Sequence, residues 1–261
     1  MIYEFCMQTH TGMLRENNED AALVDEPNGI AVLADGMGGY NAGEVASDMA
    51  TKVICREMGR WLSDAGKQAN VKEIRKALDI CVHNANLAVF TAATEHAQFA
   101  GMGTTLVAAV FLEQRVVVGH IGDSRLYRLR HKQFVQITKD HSLLQEQLDA
   151  GLITPEQAAF SANRNLVTRA LGIDEFVELE VHDHPVEAGD LYLLCYDGLS
   201  DMVEDGFIAR VLETDATLEQ KAKQLVSSAN ACGGRDNITV LLVHANAGSK
   251  KRGLMARLIG S

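Results

Sequence analysis

The sequence predicts an α+β fold, a four-layer α/β/β/α sandwich with two antiparallel sheets face to face and a helix pair outside each. Three observations carry this. Between residues 104 and 137 the β-type segments are joined by connections too short for crossover helices, so neighbours pair antiparallel. Helical segments come in two blocks instead of alternating with the strands. The 261 residues are 47% hydrophobic but only 5% aromatic, which supplies one large aliphatic core. With only 3 prolines and no low-complexity linker, a single domain over residues 1–246 and a basic tail over 247–261 are expected.

Taken in order, Ile2 to Met7 reads as a strand and Thr9 to Asp20 as a polar segment. Ala21 to Val24 is a short strand, and Asp25-Glu26-Pro27-Asn28-Gly29 is a turn into the apolar strand Ile30 to Ala34. Val45, Met49, Val53, Ile54, Met58 and Leu62 recur at helical spacing, as do Ile74, Leu78, Cys81, Ala85 and Ala88. Strands follow at Thr104 to Leu112, Arg115 to Ile121, Arg125 to Arg130 and Gln133 to Ile137. Leu143 to Ala150 is helical, and Thr154-Pro155-Glu156-Gln157 starts another helix with a capping threonine, proline first and glutamine third. Val177 to Val181 and Leu191 to Cys195 resume the strands. Glu204 to Leu212 and Leu218 to Ala231 are helices, the second capped by Thr217 and Gln220. Ile238 to Val243 is the last strand.

The net charge of -11 argues against general nucleic-acid binding. The 5 cysteines are odd in number, form no CxxC, and sit mostly among apolar neighbours, as buried thiols in a reducing compartment do. No basic-then-apolar leader and no membrane-length apolar stretch is present. A cytoplasmic protein is expected, and a monomer, because no heptad repeat or spare apolar helix face is left over.

The chemistry lies in acids at strand ends. Ile30 to Ala34 stops at Asp35, followed by Gly36, Met37, Gly38 and Gly39. Leu193-Leu194-Cys195-Tyr196 stops at Asp197-Gly198. Asp236 precedes the last strand in Gly233-Gly234-Arg235-Asp236-Asn237, Asp123 sits in the turn Gly122-Asp123-Ser124, and Glu19-Asp20 precedes the second strand. The ordinary reading of Asp35 is a cap before a turn, of Asp123 a hairpin turn, and of Glu19 a purely structural residue. Their repetition favours another: crowded carboxylates raise one another's pKa and need a compensating charge. An all-oxygen set without zinc-type His/Cys spacing suits magnesium or manganese. Two such ions about 3.5–4 Å apart can present a hydroxide to a phosphorus centre.

Arg15-Glu16-Asn17-Asn18-Glu19-Asp20, Asp35-Gly36-Met37-Gly38-Gly39, Gly103-Thr104-Thr105, Gly122-Asp123-Ser124-Arg125, Asp197-Gly198 and Gly234-Arg235-Asp236-Asn237-Ile238-Thr239 follow the order found in the metal-dependent serine/threonine protein phosphatases of type 2C. The chain resembles that family from about Thr9 to Val243, and Met37 points to the bacterial branch. The resemblance implies hydrolysis of phosphoserine and phosphothreonine in proteins by direct attack of a metal-bridged hydroxide. It also implies two tightly bound Mn2+ or Mg2+ ions and a looser third. Asp35 would bridge both ions, the Gly36 carbonyl would bind the first, and Asp197 and Asp236 the second. Asp20, with Glu19 nearby, would hold metal-bound waters, and Asp123 with Asp197 would bind the third ion. Asn237 would support the centre, and Arg15 would clamp the substrate phosphate with its planar fork. Gly103-Thr104-Thr105 reads as packing.

Animal members of that family carry a histidine, thought to protonate the leaving oxygen, where this chain has Met37. A metal-bound water is the first replacement, and His141 the second, although a satisfied structural histidine before a helix is the preferred reading of His141. His182-Asp183-His184 reads as a solvated loop. The excursion Ser142 to Leu171 corresponds to the flap of bacterial members, and such loops set substrate choice. The implied partners are phosphorylated proteins, a serine/threonine kinase and its substrates, in bacterial signalling. The alternative is a non-catalytic phosphoprotein-binding regulator on the same scaffold, which missing metal ligands would favour; none is missing. A nucleotide-dependent transferase would need a Lys-Ser/Thr after the glycines, and none follows.

Overall fold

A computed structural model describes residues 1–38, 42–65, 69–158 and 166–248. Gly39 and the basic stretch 249–261 fall outside them.

One sheet runs in the order β1 (Ile2–His10), β11 (Ile238–Asn246), β10 (Leu191–Cys195), β7 (Arg125–Arg130), β8 (Gln133–Gln136). The other runs β2 (Asp20–Asp25), β3 (Ile30–Met37), β5 (Leu106–Phe111), β6 (Arg115–Ile121), β9 (Glu180–Pro185), with β4 (Gly103–Thr104) paired to the end of β3. Every pairing between these strands is antiparallel. Helices α1 (Ala42–Ala65) and α2 (Val71–Glu95) cover the second sheet; α6 (Asp205–Glu213) and α7 (Leu218–Ala231) cover the first. The four-layer α+β sandwich expected from the sequence is the fold observed.

The period-2 alternation of strand side chains explains why Ile30 to Ala34 is apolar throughout. Ile30 and Val32 pack with Ile54, Met58 and Leu78 under the helices. Ala31 and Leu33 face the other sheet, against Tyr192, Leu194 and Leu241. Both faces are dry. Three apolar layers result, two beneath the helix pairs and one between the sheets.

The helix starts follow their sequence signals. Thr217 and Gln220 form a reciprocal capping box on α7, and Thr154 and Gln157 exchange the same pair of bonds at α4 (Pro155–Ala158). α3 (Leu143–Asp149) opens on the Ser142 side chain.

Two elements differ from expectation. The ninth strand occupies Glu180–Pro185, not Val177 to Val181, and His182-Asp183-His184 is part of it instead of a loop. These residues pair with Val118, Val117 and Val116 of β6, and Arg75 and Arg115 both engage Asp183. A polar strand fits there because β9 is the sheet edge. In addition, a short α5 (Asp197–Ser200) begins where the sequence reading has only an apolar strand ending in Asp-Gly.

Close backbone approach fixes α5. A Cβ at Gly198 would lie 1.8 Å from the Asn237 carbonyl oxygen. Gly198→Ala is therefore expected to lower the unfolding free energy by about 3 kcal/mol in urea titrations. An unchanged urea midpoint would contradict this packing.

Candidate metal centre

The strand register delivers the acids. Asp20 lies directly opposite Asp35 in the β2–β3 ladder. Counting by twos from Ala31 and Leu33 places Asp35 on the face that looks across to the other sheet. Asp20 shares that face with Ala22 and Val24. From the opposite sheet, β10 pairs Cys195 with Val240 of β11 and with Arg125 of β7. The chain just beyond those positions therefore brings Asp197, Asp236 and Asp123 to the same end of the sandwich.

Backbone bonds hold each strand end in place. The Asp35 N–H donates to Thr105 Oγ1 (3.0 Å), and the Asp35 carbonyl accepts from the Thr105 N–H (2.9 Å) and the Thr104 hydroxyl (2.8 Å). Gly103-Thr104-Thr105, read from sequence as packing, thus brackets the backbone of Asp35. Asn237 ties three segments: its Oδ1 accepts from the Glu19 N–H (2.7 Å), and its amide donates to the carbonyls of Thr11 and Asn17 (both 2.9 Å). The Thr239 hydroxyl donates to Asp20 (2.6 Å), and Tyr196 bridges the sheets through a bond to the Ala21 carbonyl (2.8 Å). Gly36 must be glycine here, because a Cβ would lie 2.0 Å from the Gly43 oxygen.

The electrostatics follow from burial and crowding. Burial raises the Asp35 carboxyl well above the usual range, and Asp20, Asp197, Asp123 and Asp236 push it further. Asp20 rises to about 8, from burial first and then from Asp197, Asp236 and Glu19, against the bond from Thr239. Asp197 rises to about 7 through burial and through Asp123, Asp236 and Asp201. Asp123 rises to about 6 through burial and Asp140. Glu19 is raised by burial, with Arg15 opposing. Arg15 donates to Asp236 at 2.7 Å, and both side chains are partly exposed. Half-exposed Arg15, with Arg125 near Asp123 but already paired with Asp140, cannot balance this set. Buried, mutually repelling carboxylates with oxygen donors alone fit hard divalent cations.

Among the described residues, the only trio of His, Cys, Asp and Glu ligand atoms that all lie within 4.8 Å of one another is His120, His141 and Glu180. The aspartates are more widely spaced, as carboxylates around a pair of water-rich ions can be. The histidine trio is not arranged for a metal. The Gly122 N–H donates to His141 Nδ1 (3.2 Å), so Nε2 carries the ring hydrogen and meets Glu180 at 3.1 Å. The two rings are also stacked, 17° from parallel, and one ion cannot lie in both ring planes. With both ring nitrogens occupied and only 7% of its surface exposed, His141 is a satisfied structural histidine, as its place before a helix predicts. Two surface cavities, of about 760 and 740 Å³, are both lined by Glu26, Pro27 and Asn28, at the other end of β2 from Asp20.

Sequence reasoning named the acids, Arg15 and Asn237. It missed the support from Thr105 and Thr239. The available signal was a threonine at the start of an apolar strand: Thr105 immediately before β5, and Thr239 as the second residue of β11.

The chain matches the family model described as Protein phosphatase 2C over residues 12–242. It is 39% identical over 252 residues to the "Serine/threonine phosphatase stp" of Listeria innocua, covering 94% of this chain and 97% of that one. The crystal structure of the Mycobacterium tuberculosis serine/threonine phosphatase PstP/Ppp superposes with a TM-score of 0.87 at 36% identity, covering 95% of this chain and 100% of that one. The catalytic domain of PstP in complex with 2 manganese ions superposes with a TM-score of 0.81, again at 36% identity, covering 94% and 99%.

A pH dependence follows from the raised aspartates. In chelator, the folded protein holds protons that the unfolded chain has already released, between the ordinary aspartate range and about pH 8. Stability then falls as pH rises through that window. Urea titrations at pH 5 and pH 8 are expected to differ by at least about 1 kcal/mol in favour of pH 5, with Mn2+ restoring stability at pH 8. A flat or rising profile in chelator would contradict the crowding.

Proposed function

This chain belongs to the protein phosphatase 2C family, and we propose that it hydrolyses phosphoserine and phosphothreonine in proteins, using divalent cations held by the strand-end aspartates. The observation that carries the reading is the convergence of Asp20, Asp35, Asp123 and Asp197, whose carboxyls are raised by burial and mutual repulsion, with the partly exposed Asp236 beside them. When bound, divalent cations lower the pKa of water and neutralise charge developing on the phosphoryl group.

Asp35, on the face between the sheets, would bind both ions, the Gly36 carbonyl the first, and Asp197 and Asp236 the second. Asp20, oriented by Thr239, would hold water beside them, with Glu19 and Asn237 as support. Asp123 and Asp197 would take a third, weaker ion. Arg15 binds the phosphate; its guanidinium already reaches across to Asp236 at the centre, and its fork geometry suits a phosphate. The leaving oxygen takes its proton from water. Met37 offers none, and His141 spends both ring nitrogens on Gly122 and Glu180. The relatives matched over nearly the whole chain are named serine/threonine phosphatases, and the non-catalytic reading has no support.

The finer reading is of Mn2+ or Mg2+, two ions bound tightly and one loosely. It places a catalytic domain over residues 1–246 and a monomeric, cytoplasmic protein that reverses a bacterial serine/threonine kinase. No helix among the described residues is long and apolar enough to cross a membrane.

Asp35→Asn and Asp236→Asn are each expected to cut manganese-dependent hydrolysis of a phosphothreonine peptide by at least about 100-fold. Near wild-type turnover in either would refute the reading. Arg15→Ala should raise KM more than it lowers kcat, with Arg15→Lys recovering only part of the loss. A KM that stays unchanged in Arg15→Ala would remove Arg15 from phosphate binding.

A further inference from the structure

His141 stands where three segments meet. Its N–H donates to the Gly122 carbonyl (2.9 Å), and its carbonyl accepts from the Thr168 N–H (2.9 Å). Its ring repeats the connection: Nδ1 accepts from the Gly122 N–H, and Nε2–H donates to Glu180 at the start of β9. Burial would raise the Glu180 carboxyl, yet hydrogen bonds from His182 and His141 hold it down to about 2. It therefore stays an anionic acceptor. His120 stacks on the ring at 4.7 Å and is itself fixed by the Lys139 carbonyl at 2.8 Å.

Gly122 is the residue before Asp123, in a left-handed conformation (φ 95°) against Thr105, the same threonine that brackets Asp35. On the other side of His141, the excursion leaves and returns. Ser142 bridges Val167, and the Leu143 N–H donates to the Leu166 carbonyl (2.9 Å). One imidazole thus touches both the turn that carries Asp123 and the strand edge beside the root of the excursion.

We propose that His141 is a positioning residue whose two ring nitrogens have separate duties. Nδ1 fixes the turn that presents Asp123 to the weakly held cation. Nε2–H, through Glu180, anchors the root of the excursion. This rests on the reading of Asp123 as a ligand. Its consequence is that the weak cation site and the segment flanking the substrate share one anchor.

Two amide substitutions separate the duties. In His141→Asn the amide oxygen falls near the Nδ1 position and can accept from Gly122, but the side chain is too short to reach Glu180. In His141→Gln the amide reaches Glu180 but leaves Gly122 without its acceptor. Low-affinity Mn2+ binding is read by electron paramagnetic resonance of free Mn2+, and the excursion by the rate of limited proteolysis within residues 143–158. His141→Gln should weaken the low-affinity ion about tenfold with cleavage unchanged. His141→Asn should keep the ion and speed cleavage several-fold. Asp123→Asn identifies the ion concerned. If it abolishes no weak ion, or if His141→Gln weakens a different one, the Nδ1 duty is overturned. Equal effects of both His141 substitutions on both readouts, or no effect of either, overturn the proposal. Should either His141 variant fail to melt cooperatively, Glu180→Leu decides: faster cleavage with unchanged Mn2+ binding supports the proposal, and unchanged cleavage overturns it. Neither readout uses turnover, so failure of the phosphatase reading shows separately in the peptide assay.

Discussion

Like charges buried together are the constraint around which this molecule is arranged. Asp20 and Asp35 are direct cross-strand neighbours, a placement that repels when both are ionised. Asp197, Asp123 and Asp236 then arrive from the opposite sheet. No hydrophobic packing relieves that repulsion. The surrounding structure has to hold the acids in place against it, and the hydrogen bonds around them do so. Thr104 and Thr105 grip the backbone of Asp35, Thr239 grips the Asp20 side chain, and Asn237 ties the strand that follows Asp236 to the segment carrying Glu19.

The sandwich architecture makes this affordable. Three apolar layers with aliphatic strands buried on both faces provide the rigidity, and the acids sit only where strands end. The same division separates tasks. Core residues set where the strand ends are, and short polar residues next to those ends set how the carboxylates point. Arg15 lies on the polar segment between β1 and β2, partly exposed, where its bond to Asp236 can open without disturbing a strand. The excursion that flanks this end is anchored through His141 to the same turn that carries Asp123.

Much of this was legible in the sequence. Ile30 to Ala34 announces a strand buried on both faces because nothing polar interrupts it. The acids announce themselves because each ends an apolar run or precedes one, beside glycine. Short connections between residues 104 and 137 left only antiparallel pairing. What stayed hidden depends on partners distant in the chain. His182-Asp183-His184 lacks a strand's composition and becomes one only because the β6 edge is open to it. Thr105 looks like packing until its hydroxyl meets the Asp35 N–H, 70 residues away. α5, four residues long, is too short for any periodicity to register. The roles of individual acids came from family resemblance, since spacing alone says that they share a charge problem and not how they divide its solution.

Diffraction at the manganese absorption edge, from crystals grown with Mn2+, tests the central claim most directly. The account predicts anomalous peaks on both sides of the Asp35 carboxylate, one of them also within bonding distance of Asp197 and Asp236. A map whose manganese peaks lie elsewhere, with Asp35 bound to none, would contradict it.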